Sequence, residues 1–392
     1  MSGSPYLRLA DKVSLKRLEK PCLYHAGTDE LYELTEDAFA LLLLCDGTRA
    51  ADEVGLPEEL LSTCREEGLL EELPEPRPRP LSVGVNPTPS LRYLVLEVTS
   101  RCNLRCRHCY QGEAGTRDLE LRTVLRVLDE FGEMGGLRLA VSGGEPLLYP
   151  FFSDLNRAFA ERPYRRVLIT NGLFLKRFDP AELNFEEVQF SLDGLEEGHD
   201  FLRGEGTFRR TLEQLRRALG AGLQVSVATV IHRRNLGELP RLGELLREMG
   251  AWAWTLEYPV VEGRLQEEPG LLPALEEAAP LLGLGWGESL HEGVPGYACG
   301  PHLATVLPSG TLVKCDYYPQ LSGGEVREGL RRAWGALPRM TQEGICEGCE
   351  VLPECGGGCR YRAEKMGGRG APDPVACLRM GRTPPPEGSP AF

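Results

Sequence analysis

The chain has 392 residues, 42% of them hydrophobic, and a formal net charge of −14. That length suggests two or three domains with ample material for a core, and the acidic balance excludes nonspecific nucleic-acid binding. No apolar run approaches the roughly 20 residues of a membrane-crossing helix, and the opening, MSGSPYLRLADK, has no apolar signal segment. The expectation is a cytoplasmic protein in a reducing compartment, without disulfide staples and without membrane attachment.

Residues 1–76 read as a small α+β domain. Thr35 is placed as an N-cap, Glu36 and Asp37 complement the helix dipole, and Leu34 and Phe39 are spaced as a hydrophobic staple. This helix runs through Leu44. A second starts near Pro57 and stops at Gly68, with short apolar pieces such as Leu69–Leu73 beside them. The pattern suits a winged helix. Residues 1–80 hold 17 acidic and 9 basic side chains, net −8; a solvated face is the ordinary reading and a basic peptide partner the sharper one. Cys22, Cys45 and Cys64 have no metal-ligand spacing and are expected to be buried thiols. Residues 77–91, entered through Pro74, Pro76, Pro78 and Pro80, read as a semi-rigid linker.

From 92 to 265 strands and helices alternate. Strands are predicted at Tyr93–Thr99 and near 137–142, 165–170, 187–192, 224–231 and 252–258. Amphipathic helices include Glu120–Gly132 and Phe208–Gly220. This alternation means a parallel sheet, open or barrel-closed, with its chemistry on loops at the carboxyl ends of the strands. From 266 to 382 Gly, Pro and Cys dominate and periodicity fades, so the segment is expected to need metal to fold. The Pro-rich tail from 383 to 392 is expected to be disordered.

Ten of the 13 cysteines fall in two spaced sets. The first is Cys102, Cys106 and Cys109, just after the first predicted strand of the parallel sheet. The second is Cys299, Cys315, Cys346, Cys349, Cys355, Cys359 and Cys377. Thiolates two to five residues apart converge on metal centres, and ten are too many for one cluster; about three centres are expected. A four-cysteine zinc site is the alternative for Cys346 to Cys359.

The segment CNLRCRHC, 102–109, resembles the CxxxCxxC signature of radical S-adenosylmethionine (SAM) enzymes, with His108 in the aromatic position before the last cysteine. Further motifs follow in register over about 92–265. Gly143-Gly144-Glu145-Pro146 is similar to the loop that holds the SAM amine. Thr170-Asn171-Gly172 and Ser191-Leu192-Asp193-Gly194 resemble loops near its ribose and carboxylate. Arg203 is either a partner of the SAM carboxylate or a structural salt bridge. The seven later cysteines, with Gly310 five residues before Cys315, resemble the SPASM extension.

The resemblance implies a partial (β/α)6 TIM-type barrel, an N-terminal winged-helix-like α+β domain and a C-terminal SPASM Fe-S domain. It also implies SAM and three [4Fe-4S] clusters. Cys102, Cys106 and Cys109 would hold the SAM-binding cluster. Cys346, Cys349, Cys355 and Cys377 would hold an outer auxiliary cluster, and Cys299, Cys315 and Cys359 an inner one with one iron short of a cysteine. Asp316 matches a base in relatives that oxidise sulfatase side chains; a solvated loop Asp is the ordinary alternative. Segments 31–38 and 44–48 resemble leader-peptide recognition elements.

Together these imply a maturase that installs a thioether, a carbon–carbon crosslink or an oxidised side chain in a ribosomally made precursor peptide. A flavodoxin- or ferredoxin-type electron donor would serve it. The alternatives are sulfatase-type formylglycine formation, maturation of a small molecule such as a tetrapyrrole, and a nonenzymatic metal-folded peptide-binding scaffold.

Overall fold

The computed structural model describes residues 4–160, 162–287, 294 and 296–383; the expected disordered tail lies outside them from 384 onward. Sixteen strands are named in chain order. In the first domain these are β1 Tyr6–Leu9, β2 Val13–Arg17, β3 Pro21–His25, β4 Glu30–Glu33, β5 Asp46–Ala50 and β6 Leu70–Leu73. Strand β7, Gly84–Val85, falls within the expected linker. The main sheet takes β8 Tyr93–Thr99, β9 Arg138–Gly143, β10 Arg165–Thr170, β11 Glu187–Ser191, β12 Gln224–Val230 and β13 Ala253–Glu257. It is extended by β14 Leu303–Val306, β15 Thr311–Val313 and β16 Ser322–Glu325.

Strands β8 to β13 pair in sequence order, each parallel to the next. The helices between them include 121–133, 207–220 and 239–248. Six parallel strands in sequence order with crossover helices make the expected partial barrel. Helix 121–133 shows how sequence selects this layer: Val124, Val127, Leu128 and Phe131 fall on one face and are all fully buried against the sheet.

The other edge of the sheet departs from expectation. Periodicity fades after 266, yet β14 pairs parallel with β8, and β15 and β16 continue the sheet antiparallel. These strands have only three or four residues, too short for a period-two pattern to stand out.

The first domain has its own core, with Leu7, Leu9, Leu23, Phe39 and Leu42 at most 1% exposed. Thr35 caps helix 36–42 by accepting from the Ala38 amide at 3.1 Å. Cys22, Cys45 and Cys64 are buried. The sheets are β5-β1-β6 and β4-β3-β2-β7.

This domain is clamped to the barrel. The Lys16 ammonium, almost fully buried, donates to the carbonyls of Pro163 at 2.5 Å and Gly136 at 3.2 Å. Arg165, at the start of β10, donates to the carbonyls of Ala26 at 3.1 Å and Gly27 at 3.0 Å and pairs with Glu187 at 2.8 Å. Asp29 pairs with Arg138 at the start of β9. The first domain therefore sits against the amino ends of the parallel strands. The segment read as a semi-rigid linker packs on this domain: the amides of Arg77 and Arg79 donate to Gly47 and Asp46 carbonyls, and β7 pairs with β2.

Candidate active site

At the opposite, carboxyl ends of β8 to β11 lies a cavity of about 200 Å³. Its wall includes Cys102, Cys106, His108, Cys109, Tyr110, Gly143, Gly144, Asn171, Ser191 and Arg203. Six parallel strands bring these residues from four loops to one place.

The two glycines are required by close backbone approach. A Cβ on Gly143, which has φ +137°, would stand 2.2 Å from the Thr99 carbonyl oxygen, and one on Gly144 2.5 Å from that of Arg101. Without side chains, the Gly144 and Glu145 amides donate to those same carbonyls, both at 2.8 Å. The loop after β9 is thereby laid on the cysteine loop.

Glu145 and Pro146 are not among the residues lining the cavity. The fully buried Glu145 carboxylate accepts from the Leu147 amide at 3.1 Å, Thr170 Oγ1 at 2.7 Å and the Asn171 amide at 2.9 Å. Burial pushes it up to about 7. It fastens the loop after β10 to the loop after β9. Asn171 in turn donates to Asn103 Oδ1 at 3.0 Å, a residue that motif reading passed over. Asp193 is also withdrawn: it forms a buried ion pair with Arg203 and accepts from the Val230 amide at 2.9 Å. Arg203 both makes this pair and lines the cavity. Burial outweighs the nearby Asp193 charge and takes His108 down to about 4, so its ring is neutral at pH 7.

The later cysteines gather in two places. Cys346, Cys349, Cys355 and Cys377 ring a cavity of about 20 Å³ with Asp373 beside them. Cys299, Cys315 and Cys359 form the other group. Burial, and then the neighbouring Cys299, push the Cys315 thiol up to about 12; burial and Cys299 likewise push Cys359 up to about 11. Cys299 and Cys346 hold left-handed backbone conformations, φ 58° and 49°, a conformation that non-glycine residues keep when their surroundings demand it.

Three charged residues missed by sequence reasoning support these groups. Buried Lys314 donates to the carbonyls of Gly300 at 2.6 Å and Leu303 at 3.0 Å, close enough to Cys299 and Cys315 to feel both. Asp373 accepts from the Cys359 amide at 2.8 Å and from Arg362 at 2.6 and 2.8 Å. It thus stands between the two groups, buried with its cation partner.

Among the described residues, no three His, Cys, Asp or Glu converge closely enough to hold a single metal ion. Cys102, Cys106 and Cys109 line one cavity and Cys346, Cys349, Cys355 and Cys377 another, thiol sets whose chemistry fits a metal cluster. Asp316 is half-buried beside Tyr110, whose Oη lies 2.9 Å from its Oδ2.

A barrel with three thiols and glycine loops at its mouth defines a class of cluster-dependent enzyme. The model of the radical SAM superfamily matches residues 96–246. An AdoMet-dependent heme synthase of Methanosarcina barkeri is 28% identical over 69% of this chain and 92% of its own. A PqqA peptide cyclase of Gluconobacter oxydans is 27% identical over 74% and 92%. Among solved structures, Streptococcus suis SuiB bound to precursor peptide SuiA superposes with a TM-score of 0.67 at 15% identity, covering 92% of this chain and 97% of that one. Native anSMEcpe with bound AdoMet gives 0.54 at 16%, covering 74% and 94%. Residues 96–246 form a radical SAM domain, and the protein is an enzyme that works through it. A [4Fe-4S] cluster and SAM are accordingly its cofactors. No helix among the described residues is long and apolar enough to cross a membrane.

Proposed function

We propose that this enzyme modifies a ribosomally made precursor peptide. The observation that carries the reading is the first domain: the likeness to peptide-bound SuiB runs over 92% of the chain, whereas the likeness to anSMEcpe spans 74%. Among the described residues β4 pairs only with β3 and so leaves one edge open. A leader segment adds to such an edge as a further strand. Glu33 and Glu36 are already paired with Lys20 and Arg17, which leaves Glu30 on β4 to meet a basic residue of the leader.

Cys102, Cys106 and Cys109 hold the cluster that binds SAM. Gly143 and Gly144 bring backbone to its amino-acid end, Asn171 and Ser191 wall the rest, and Arg203 offers a cation. The cluster, when bound, supplies the electron that cleaves SAM to a radical. Around it the chain supplies an enclosed, glycine-lined space, a neutral His108 and the buried Arg203–Asp193 pair. Cys346, Cys349, Cys355 and Cys377 hold an outer auxiliary cluster, and Cys299, Cys315 and Cys359 an inner one, with Lys314 offsetting thiolate charge. Asp316 accepts a proton from substrate. A flavodoxin- or ferredoxin-type protein donates electrons.

Tetrapyrrole maturation is the second reading, favoured by the similarity to the heme synthase. Coexpression with each short reading frame beside the gene, followed by peptide mass analysis, separates the two. A mass change in one peptide is expected. Conversion of an added porphyrin with every peptide left unmodified would favour the second reading.

A further inference from the structure

One polar network lies behind the cavity wall. Glu97, on β8, is 2% exposed. Its Oε1 accepts from Gln111 Nε2 at 2.7 Å and meets Tyr110 Oη at 3.1 Å. The same phenol oxygen lies 2.9 Å from Asp316 Oδ2 and 3.2 Å from Gln111 Nε2. A single hydroxyl therefore joins a carboxyl on the first barrel strand to a carboxyl next to Cys315.

Two features set this network apart from ordinary buried polarity. Neither carboxyl has a lysine, arginine or histidine ion-pair partner among the described residues, although buried carboxylates are costly without one. Burial, and then the proximity of Asp316, push the Glu97 carboxyl well above the usual carboxylate range. In addition, Asp316 is held on one side only: Tyr110 engages Oδ2, while Oδ1 is buried and makes no hydrogen bond, Thr305 lying near without closing one. Tyr110 also packs its ring on Tyr317 at 5.1 Å, and Tyr317 stacks on Tyr361 at 5.3 Å. The phenol is thus fixed by packing, and its hydroxyl is aimed by the two carboxyls.

We propose that Glu97 is a positioning residue: through Tyr110 it sets where the Asp316 carboxyl stands, coupling β8 to the loop that follows Cys315. This rests on the reading of Cys315 as an inner-cluster ligand and of Asp316 as a group that meets substrate. Leucine at 97 removes the hydrogen bond to Tyr110. Glutamine keeps an acceptor for the phenol and nearly the same volume. Phenylalanine at 110 cuts the link while leaving Glu97 intact.

The test is electron paramagnetic resonance of the anaerobically reconstituted, dithionite-reduced full chain. It is run in a Cys102→Ala, Cys106→Ala, Cys109→Ala background so that only auxiliary signals remain. Glu97→Leu and Tyr110→Phe are expected to shift the inner-cluster signal in the direction in which Asp316→Asn shifts it, and Glu97→Gln to leave it in place. With the three cysteines restored, Glu97→Leu is expected to keep peptide-independent SAM cleavage within about twofold, since Glu97 is absent from the cavity wall. A signal unmoved by both Glu97→Leu and Tyr110→Phe overturns the inference. So does one that Glu97→Gln moves as far as Glu97→Leu does. Should Glu97→Leu fail to fold, Tyr110→Phe against Glu97→Gln decides alone. Absence of any auxiliary signal in the parent background would instead refute the inner-cluster reading itself.

Discussion

At the scale of single residues, several motif positions work at one remove from the cavity. Glu145 reads as a ligand to SAM, but its oxygens are occupied by one hydroxyl and two amides from neighbouring loops. Glu145→Ala leaves these donors buried and unpaired, a cost of roughly 2–5 kcal/mol. Glu145→Gln keeps an acceptor and should lose less; denaturant midpoints of the two variants check the ordering. Lys16 gives a pH signature. Burial lowers it to about 7 from 10.5, so between these values the unfolded chain binds more protons than the folded one. Stability therefore rises with pH over that window and carries the full penalty below it. Lys16→Met should flatten that part of the profile, read from unfolding at pH 7 and pH 10. Motif spacing named Cys102, Gly143, Asn171 and Arg203, and all four line one cavity. It was silent on Lys314, Asp373 and Glu97, whose importance lies in burial beside partners distant in sequence, which a linear pattern does not encode.

At the scale of elements, the parallel strands were legible because each is a compact apolar run between amphipathic helices. The short strands β14–β16 were not, since three or four residues carry no period. For the semi-rigid segment 77–91, proline content predicts stiffness but not what the chain lies against, and the contacts of Arg77, Arg79 and β7 supply that. The first domain is also tied to the barrel itself. Ala26 and Gly27 carbonyls satisfy Arg165, which is fully buried beside Glu187. Deleting residues 1–76 strips those partners, so the truncated chain should melt lower than the full chain in thermal unfolding. Arg165→Leu leaves Glu187 buried without its cation and should cost roughly 3–5 kcal/mol.

At the scale of the whole molecule, the proposed leader edge and the reaction cavity lie at opposite ends of the barrel strands. Strands of five to seven residues span roughly 20 Å. A peptide bound along β4 must cover that height outside the barrel. At least about six extended residues must then separate the leader from the modified residue. A series of precursors with shortened spacers should lose modification abruptly below that length while keeping affinity for the enzyme. Loss of affinity in step with modification would place the leader elsewhere.

The proposed function requires ten cysteines to hold three clusters, one for SAM and two beyond it. The direct measurement is iron and zinc content of the anaerobically reconstituted chain. About twelve iron atoms per chain are expected, with about four lost when Cys102, Cys106 and Cys109 become alanine and about four lost when Cys346, Cys349, Cys355 and Cys377 do. About four iron atoms in the unaltered chain, with zinc at Cys346 to Cys377, would contradict it.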